Sequence, residues 1–407
     1  MSQPRVSVIV VSHGRPDLLC RAALSVFHQN HRPVELIIVA DHVGLAAISI
    51  LPFASRIKRV LFENENISAA RNIGIDHAAA EYIAFLDDEA VAEPMWLSLM
   101  LNEMCQHPWA ALTGTVLGRN GISVQWGDVR FDELGRDQPK SGSGPRKLHG
   151  TNMLFRADIL RQIGGFDEAY RFLNYDTDLV MRLHHTGHET GYLDGGLIHH
   201  SFAQSARRSA RRAPKTLFEI GASYAGFLRR YAPPASMDAA LLDFEYTQKR
   251  RIDRFVLSGD LSPFRIARLL AELRSGFEQG RMRPLMLRQS FDQAPRFSPC
   301  AMMIHSRLSF YMARGVIVTA CASKRRSMRQ RAKTPPCFCF IQPPFRIGCG
   351  FIAKDIGNRS GVFMARPSVI KSGLSCGNLR TVFRPRRRAL PRHGVFHEII
   401  GASHWPL

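Results

Sequence analysis

The chain has 407 residues, 45% of them apolar, and a formal net charge of +21, enough apolar content for a sizeable core and two or three domains. The charge is uneven: residues 300–407 hold 19 Lys+Arg against 2 Asp+Glu, which leaves only +4 for everything before them. No apolar run reaches the roughly 18 residues of a helical membrane span, so no membrane-spanning helix is expected.

The opening Met-Ser-Gln-Pro-Arg runs straight into a strand and carries no secretory signal, so a cytoplasmic protein is expected. Val6–Val11 is a β-branched run without alternation, as in a strand covered on both faces. Ser12-His13-Gly14-Arg15-Pro16-Asp17 breaks it. Leu18, Leu19, Ala22, Ala23, Val26 and Phe27 then recur at helical spacing, with Pro16 near the first helical position. Glu35–Val39 and Ile57–Phe62 read as the next strands, the former followed by Asp41. Ser68–Ala80 reads as an Ala-rich helix, and Tyr82–Leu86 as a strand running into Asp87-Asp88-Glu89. Glu93-Pro94 opens another helix, and Leu112–Leu117 is a further strand. This alternation predicts an α/β fold with a mostly parallel, Rossmann-like sheet flanked by helices. Ligands bind such sheets beyond the carboxyl ends of the strands. Ser12–Arg15, Asp41 and Asp87–Glu89 all fall at those ends.

Residues 120–149, rich in Gly, Asp, Lys and Pro, read as a long loop or hairpin excursion. Gly150–Phe155 is extended, Ala157–Ile163 helical with a Gly164-Gly165 stop, and Thr177–His185 helical. Tyr192–His200 is extended, and Leu217–Tyr231 is a helix ended by Pro233-Pro234. A charged helical region runs from about 238 to 282, and periodicity decays after about 300. The expected division is therefore a domain over 1–235, a helical extension over 236–299 and a basic tail over 300–407. The tail's loss of periodicity fits disorder or an aberrant reading frame equally well. Its runs Lys324–Arg326 and Arg384–Arg388 suit an anionic surface, hence an expected peripheral contact with the inner membrane face. No nucleic-acid-binding fold surrounds them, so no specific nucleic acid is predicted. Six of the eight cysteines lie from Cys300 onward, but their spacings make no paired CxxC zinc pattern.

Three adjacent carboxylates at a strand end repel one another and are costly without a cation or hydrogen-bond donors. A divalent metal bridging a diphosphate removes that cost, and hard oxygen ligands suit Mg²⁺ or Mn²⁺. Taken alone, Asp87-Asp88-Glu89 fits a solvated turn better, so its surroundings decide. Those surroundings are, in order, Val6–Leu19, Glu35–Asp41, Ser68–Gly74, Tyr82–Glu89, Gly150–Arg156 with Gly164–Glu168, and Tyr175–Leu179. This series resembles glycosyltransferase family 2, inverting enzymes of the GT-A fold, over roughly residues 5–202.

The resemblance implies transfer of a sugar from a nucleoside-diphosphate sugar to a saccharide or lipid-linked acceptor, in polysaccharide or glycolipid biosynthesis. It implies donor binding by Ser12, His13, Arg15, Asp41, Arg71, Asp87 and Asp88, and Mg²⁺ or Mn²⁺ held by Asp87, Glu89 and His199. Gly150, Asn152 and Asp178 would lie on the acceptor side, with Asp176 as general base. Departures are Glu89 for the third aspartate, Tyr175 for the acid usually preceding Asp176, Ala40 for an aspartate beside Asp41, and Asn66 for a common glycine. Plainer readings stand beside these. Asp176 suits a helix N-cap, Arg71 a helix surface or a partner of Asp41, and His199-His200 a half-exposed pair. Arg207-Arg208 and Arg211-Arg212 read as a solvated loop face before they read as a clamp over a diphosphate. Two other functions compete. A catalytically weakened sugar-nucleotide binding module fits the Glu89 and Tyr175 departures. An NAD- or SAM-dependent Rossmann enzyme fits the alternation but lacks GxGxxG after the first strand.

Overall fold

The computed structural model describes residues 3–291, 296–300, 338–342 and 346–350. In chain order its first elements are β1 (Val6–Ser12), α1 (Pro16–Phe27), β2 (Val34–Ala40), α2 (His42–Ser49), β3 (Ile57–Leu61), α3 (Ile67–His77), β4 (Tyr82–Asp87), β5 (Ala90–Ala92), α4 (Trp96–Gln106) and β6 (Ala111–Leu117). The short strands β7 (Val124–Trp126), β8 (Arg130–Phe131) and β9 (Asp137–Gln138) decorate the excursion. After it come β10 (Asn152–Arg156), α5 (Ala157–Gln162), α6 (Tyr175–His185), β11 (Thr190–His200), α7 (Phe218–Tyr231), α8 (Met237–Leu257) and α9 (Ile266–Met282).

β1 lies inside the sheet because both its faces are apolar. Val6, Val8 and Val10 pack with Leu19 of α1 and Trp96 of α4 on one side. Ile9 packs with Ile37, Phe85 and Ile75 of α3 on the other. Burial of about 25 cal/mol per Å² on each face makes such a strand a main source of stability. The strand order is β3-β2-β1-β4-β10-β6-β11-β5, with β7 on β6. β3, β2, β1 and β4 are mutually parallel, as the alternation predicts. From β10 onward the sheet is mixed: β10 runs antiparallel to both β4 and β6, and β5 antiparallel to β11. A crossover helix forces a parallel return, and the excursion before β10 is no such helix. The fold is thus the expected α/β sheet flanked by helices, curled and mixed at one end.

The extension after 236 packs onto the same unit. α9 crosses α7 so closely that a Cβ on Gly276 would lie 2.2 Å from Phe218 O, and one on Gly280 2.2 Å from Ala222 O. Beyond α9, the Arg288 Nε–Glu168 pair at 2.9 Å and the Cys300 N–H donated to Val34 O at 2.7 Å carry the chain back over the domain. In the basic tail, β12 (Phe338–Gln342) and β13 (Arg346–Gly350) form an antiparallel hairpin. Lys324–Arg326 and Arg384–Arg388 lie outside the described residues. Among the described residues no helix is long and apolar enough to cross a membrane.

Candidate active site

The site begins where β1 and β4 end side by side. Val11 is in register with Asp87, so the Ser12–Arg15 turn meets the acidic cluster. Gly14 takes φ +67, a left-handed conformation glycine adopts without strain. Its N–H donates to Asp41 Oδ2 at 2.7 Å, while Asp41 Oδ1 caps α2 by accepting from Gly44 N at 2.8 Å. Asp41 is therefore the tie that shapes the turn.

Ser12 Oγ donates to Asp88 Oδ2 at 2.6 Å, and Arg15 reaches Asp88 Oδ1 at 2.9 Å and Glu89 Oε2 at 2.8 Å. Asp88 is 1% exposed. Burial pushes its carboxyl up to about 7, against the pull of Arg15 and Ser12. Glu89 goes the other way. Burial raises it too, but His200, Arg208 and Arg15 together hold it down at about 2. The reach to His200 comes from β5, which places Ala90 opposite His200. His200 Nε2 lies 3.3 Å from Glu89 Oε1, an oxygen also bound by the Arg208 guanidinium. Glu89 Oε2 accepts from Ala203 N at 2.7 Å.

α3 starts at Asn66, whose side chain accepts from Ser68 N and Ala69 N. The helix carries Arg71, 1% exposed, into the core behind the cavity. Arg71 Nη2 donates to Asp87 Oδ1 at 2.9 Å and to Gly150 O at 2.7 Å. Its guanidinium carbon stands 4.6 Å from the Tyr175 ring centroid and 5.4 Å from those of Phe85 and Phe166. Burial disfavours its charge, but Tyr175, Asp87 and Asp176 outweigh that and raise its pKa. Gly150 has no room for a side chain, since a Cβ there would lie 2.1 Å from Tyr175 Oη.

Asp176 stands in the first turn of α6. The N-cap is Asn174, in the left-handed region at φ 61, so the capping role open to Asp176 falls elsewhere. Asp176 Oδ1 accepts from Thr177 N at 2.8 Å and Oδ2 from Gly150 N at 3.3 Å. Burial pushes this carboxyl above the usual range, while Lys147, the Thr177 N–H and Arg71 pull it partly back.

Part of this set lines one cavity of about 370 Å³. Ser12, His13, Arg15 and Asp87–Glu89 form one side, Gly150 and Asp176 another, and Trp126, His149, Lys147, His200 and Arg208 close it. The Trp126 ring stacks 5.9 Å from His149 and lies 5.1 Å from His200. Burial holds His149 neutral, lowered to about 4, despite its 2.7 Å contact with Gly127 O.

Five of the expected site residues are placed elsewhere. Asp41 and Arg71 sit behind the cavity wall. Asn152 is a core residue: it accepts from Trp96 Nε1 at 2.8 Å and donates to Gly196 O at 2.9 Å. Asp178, two residues on from Asp176, faces away into the protein. It accepts from Arg182 Nε at 2.8 Å, Arg230 Nη1 at 3.1 Å and Tyr231 Oη at 2.9 Å. Asp178→Ala is accordingly expected to cost about 3–5 kcal/mol by leaving the buried Arg182 without its carboxylate partner. A urea unfolding curve reads this as a lower midpoint with no change in nucleotide affinity.

His199 is likewise not brought to the cluster. Its Nε2 lies 2.6 Å from Glu93 Oε1. Successive strand residues face opposite sides, and the side facing Glu89 belongs to His200. The sequence reading passed over Trp126, Lys147 and His149, buried in an excursion without periodicity. It also set Arg208 on a solvated face, where the structure packs it against Glu89. For the expected Mg²⁺ or Mn²⁺, no group of three His, Cys, Asp or Glu side chains among the described residues is arranged to hold a metal ion. The cluster's carboxylates are occupied by guanidinium groups instead, so the arrangement does not fit a divalent ion.

Residues 7–164 match the family described as Glycosyl transferase family 2. A glucosyl-dolichyl phosphate glucuronosyltransferase of Haloferax volcanii is 25% identical over 175 residues, 40% of this chain and 56% of that protein. An uncharacterized glycosyltransferase of Haemophilus influenzae is 33% identical over 159 residues, 38% of this chain and 58% of that protein. The O-antigen biosynthesis protein RfbC of Myxococcus xanthus is 25% identical, over 55% of this chain and 19% of its own length. The chain thus spans little more than half of the first two relatives. Among solved structures, a mannosyltransferase from Pyrobaculum calidifontis in complex with GDP-Man and Mn²⁺ has a TM-score of 0.43 and 16% identity, covering 69% of this chain and 88% of that one. The matched stretch runs from β1 through α5 and contains the Ser12 turn, Arg71, the acidic cluster and Gly150. Over residues 7–164, this chain is similar to glycosyl transferase family 2.

Proposed function

We propose that the protein transfers a sugar from a nucleoside-diphosphate sugar to a hydroxyl of a saccharide or lipid-linked acceptor, with inversion at the anomeric carbon. The observation that carries this is the position of Asp176. Its carboxylate opens into the same cavity as the Ser12–Arg15 turn and the acidic cluster, and burial strengthens it as a base. In this reading Asp176 takes the proton of the acceptor hydroxyl as that oxygen attacks the anomeric carbon. The new C–O bond forms on the face opposite the diphosphate. The old one breaks, and the nucleoside diphosphate leaves with the electron pair. One positioned base suffices for such a step, whereas glycoside hydrolysis needs a second carboxyl to protonate the leaving group. Arg71 acts as a positioning residue, fixing Asp87 and the Gly150 carbonyl. Trp126 and His149 offer an aromatic wall for a sugar ring.

The names of the H. volcanii and M. xanthus relatives support a place in polysaccharide or glycolipid assembly, with peripheral contact at the inner membrane face as part of the same proposal. The test is a panel of UDP-, GDP-, dTDP- and CDP-sugars assayed for nucleoside-diphosphate release, in EDTA and in Mn²⁺. Release with one donor class is expected, and the anomeric configuration of the product, read by NMR, reports inversion. Silence with every donor in both conditions would remove the enzymatic reading.

A further inference from the structure

The acidic cluster resolves its own repulsion without a cation. Asp88 Oδ2 accepts from Ser12 Oγ at 2.6 Å, while its Oδ1 is ion-paired with Arg15 at 2.9 Å without a hydrogen bond. Both oxygens of Glu89 are taken: Oε2 by Arg15 at 2.8 Å and the Ala203 N–H at 2.7 Å, and Oε1 by Arg208 and His200. Asp87 Oδ1 is taken by Arg71 at 2.9 Å. Three carboxylates thus face three guanidiniums. The longer arm of Glu89 makes this arrangement possible, since it reaches into residues 201–208. That segment is tied to the same residue by its backbone, through the Ser201 N–H to Glu89 O at 2.8 Å.

The positive charge continues behind Arg208. The Arg212 guanidinium lies 3.6 Å from the Phe202 ring, with Nε and Nη2 buried and without hydrogen-bond partners. Arg212 and Arg251 are each lowered to about 10, first by burial and then by neighbouring guanidiniums. Arg15 Nε is also buried without a hydrogen-bond partner, on a side chain that lines the cavity. A divalent cation entering here would displace two arginines and meet further positive charge. A diphosphate entering here would meet charge-assisted donors, some of them unused.

We infer that Arg15 and Arg208 stand in place of a divalent cation at this cluster, and that the donor's diphosphate is received by guanidinium groups with Glu89 as the anchor that holds Arg208 over the site. This rests on the nucleoside-diphosphate-sugar reading above.

The test is calorimetric titration of UDP, GDP, CDP and dTDP into the full chain, in EDTA and in Mn²⁺, with the paramagnetic resonance of free Mn²⁺ followed in parallel. The dissociation constants are expected to agree within about threefold between the two conditions, and the free Mn²⁺ signal of a Mn²⁺–nucleotide mixture to fall no further when the protein is added. Binding tightened more than about tenfold by Mn²⁺, with a further loss of the free signal on adding protein, would overturn the inference and leave the donor reading standing. No binding of UDP, GDP, CDP or dTDP in either condition would overturn both. Arg208→Ala is expected to weaken nucleotide binding in EDTA about tenfold, and an unchanged affinity counts against the clamp.

Discussion

Asp176→Asn is expected to lower kcat by about 10²–10⁴-fold, the usual contribution of a positioned general base, with nucleotide affinity unchanged within about twofold. Asparagine keeps the volume, and its carbonyl still accepts from Thr177 N, but it offers no basic oxygen for the acceptor proton. A loss of nucleotide binding in parallel with kcat would instead mark Asp176 as part of the donor site. Activity matching the parent would remove Asp176 as the general base. The pH profile gives a second readout. A base works unprotonated, so kcat/KM falls as pH drops through its pKa. Because burial raises Asp176, the midpoint of that acidic limb is expected above the ordinary aspartate value of about 3.9. Residual activity in the asparagine variant should lack that limb.

Arg71→Ala is expected to be the most destabilising single change at the site. The guanidinium is buried, bridges Asp87 and the Gly150 carbonyl, and lies among Tyr175, Phe85 and Phe166. Removing it leaves a carboxylate and a carbonyl without their donor, beside a void. Breaking a buried pair from one side costs about 3–5 kcal/mol, against a total stability that is commonly about 5–15 kcal/mol. A large drop in the urea midpoint is the expected measurement. Arg71→Lys separates packing from positioning. An ammonium fills much of the space but lacks the planar fork that serves two acceptors at once. Stability should recover in part while nucleoside-diphosphate release stays depressed. Full recovery of both by lysine would show that charge alone is needed at this position.

Much of the architecture was legible because buried strands declare themselves as continuous apolar runs. Val6–Val11, Glu35–Val39 and Tyr82–Leu86 each fall within an observed strand, β1, β2 and β4 respectively. The chain breaks after them put Ser12, Asp41 and Asp87 at the strand ends, and the parallel register then joined the first to the third. α2 escaped notice, since His42–Ser49 is mostly apolar or small and shows no clear polar stripe. The antiparallel entry of β10 also escaped, because strand direction is not written in composition.

What the sequence by itself determined is the class of fold, a resemblance to one family over part of the chain, and the short list of polar residues at the ends of buried strands. The tertiary structure decided which of those residues face one another. Asp176 and Asp178 are two apart on α6, and that offset turns one to the cavity and the other to Arg182 and Arg230. His199 and His200 are adjacent on a strand, and the pleat sends them to opposite sides. Arg208 is 119 residues from Glu89 in sequence, and only the folded path of the chain makes them a pair. Local spacing fixes where a side chain starts. Its partner, and so the charge it meets, comes from long-range packing.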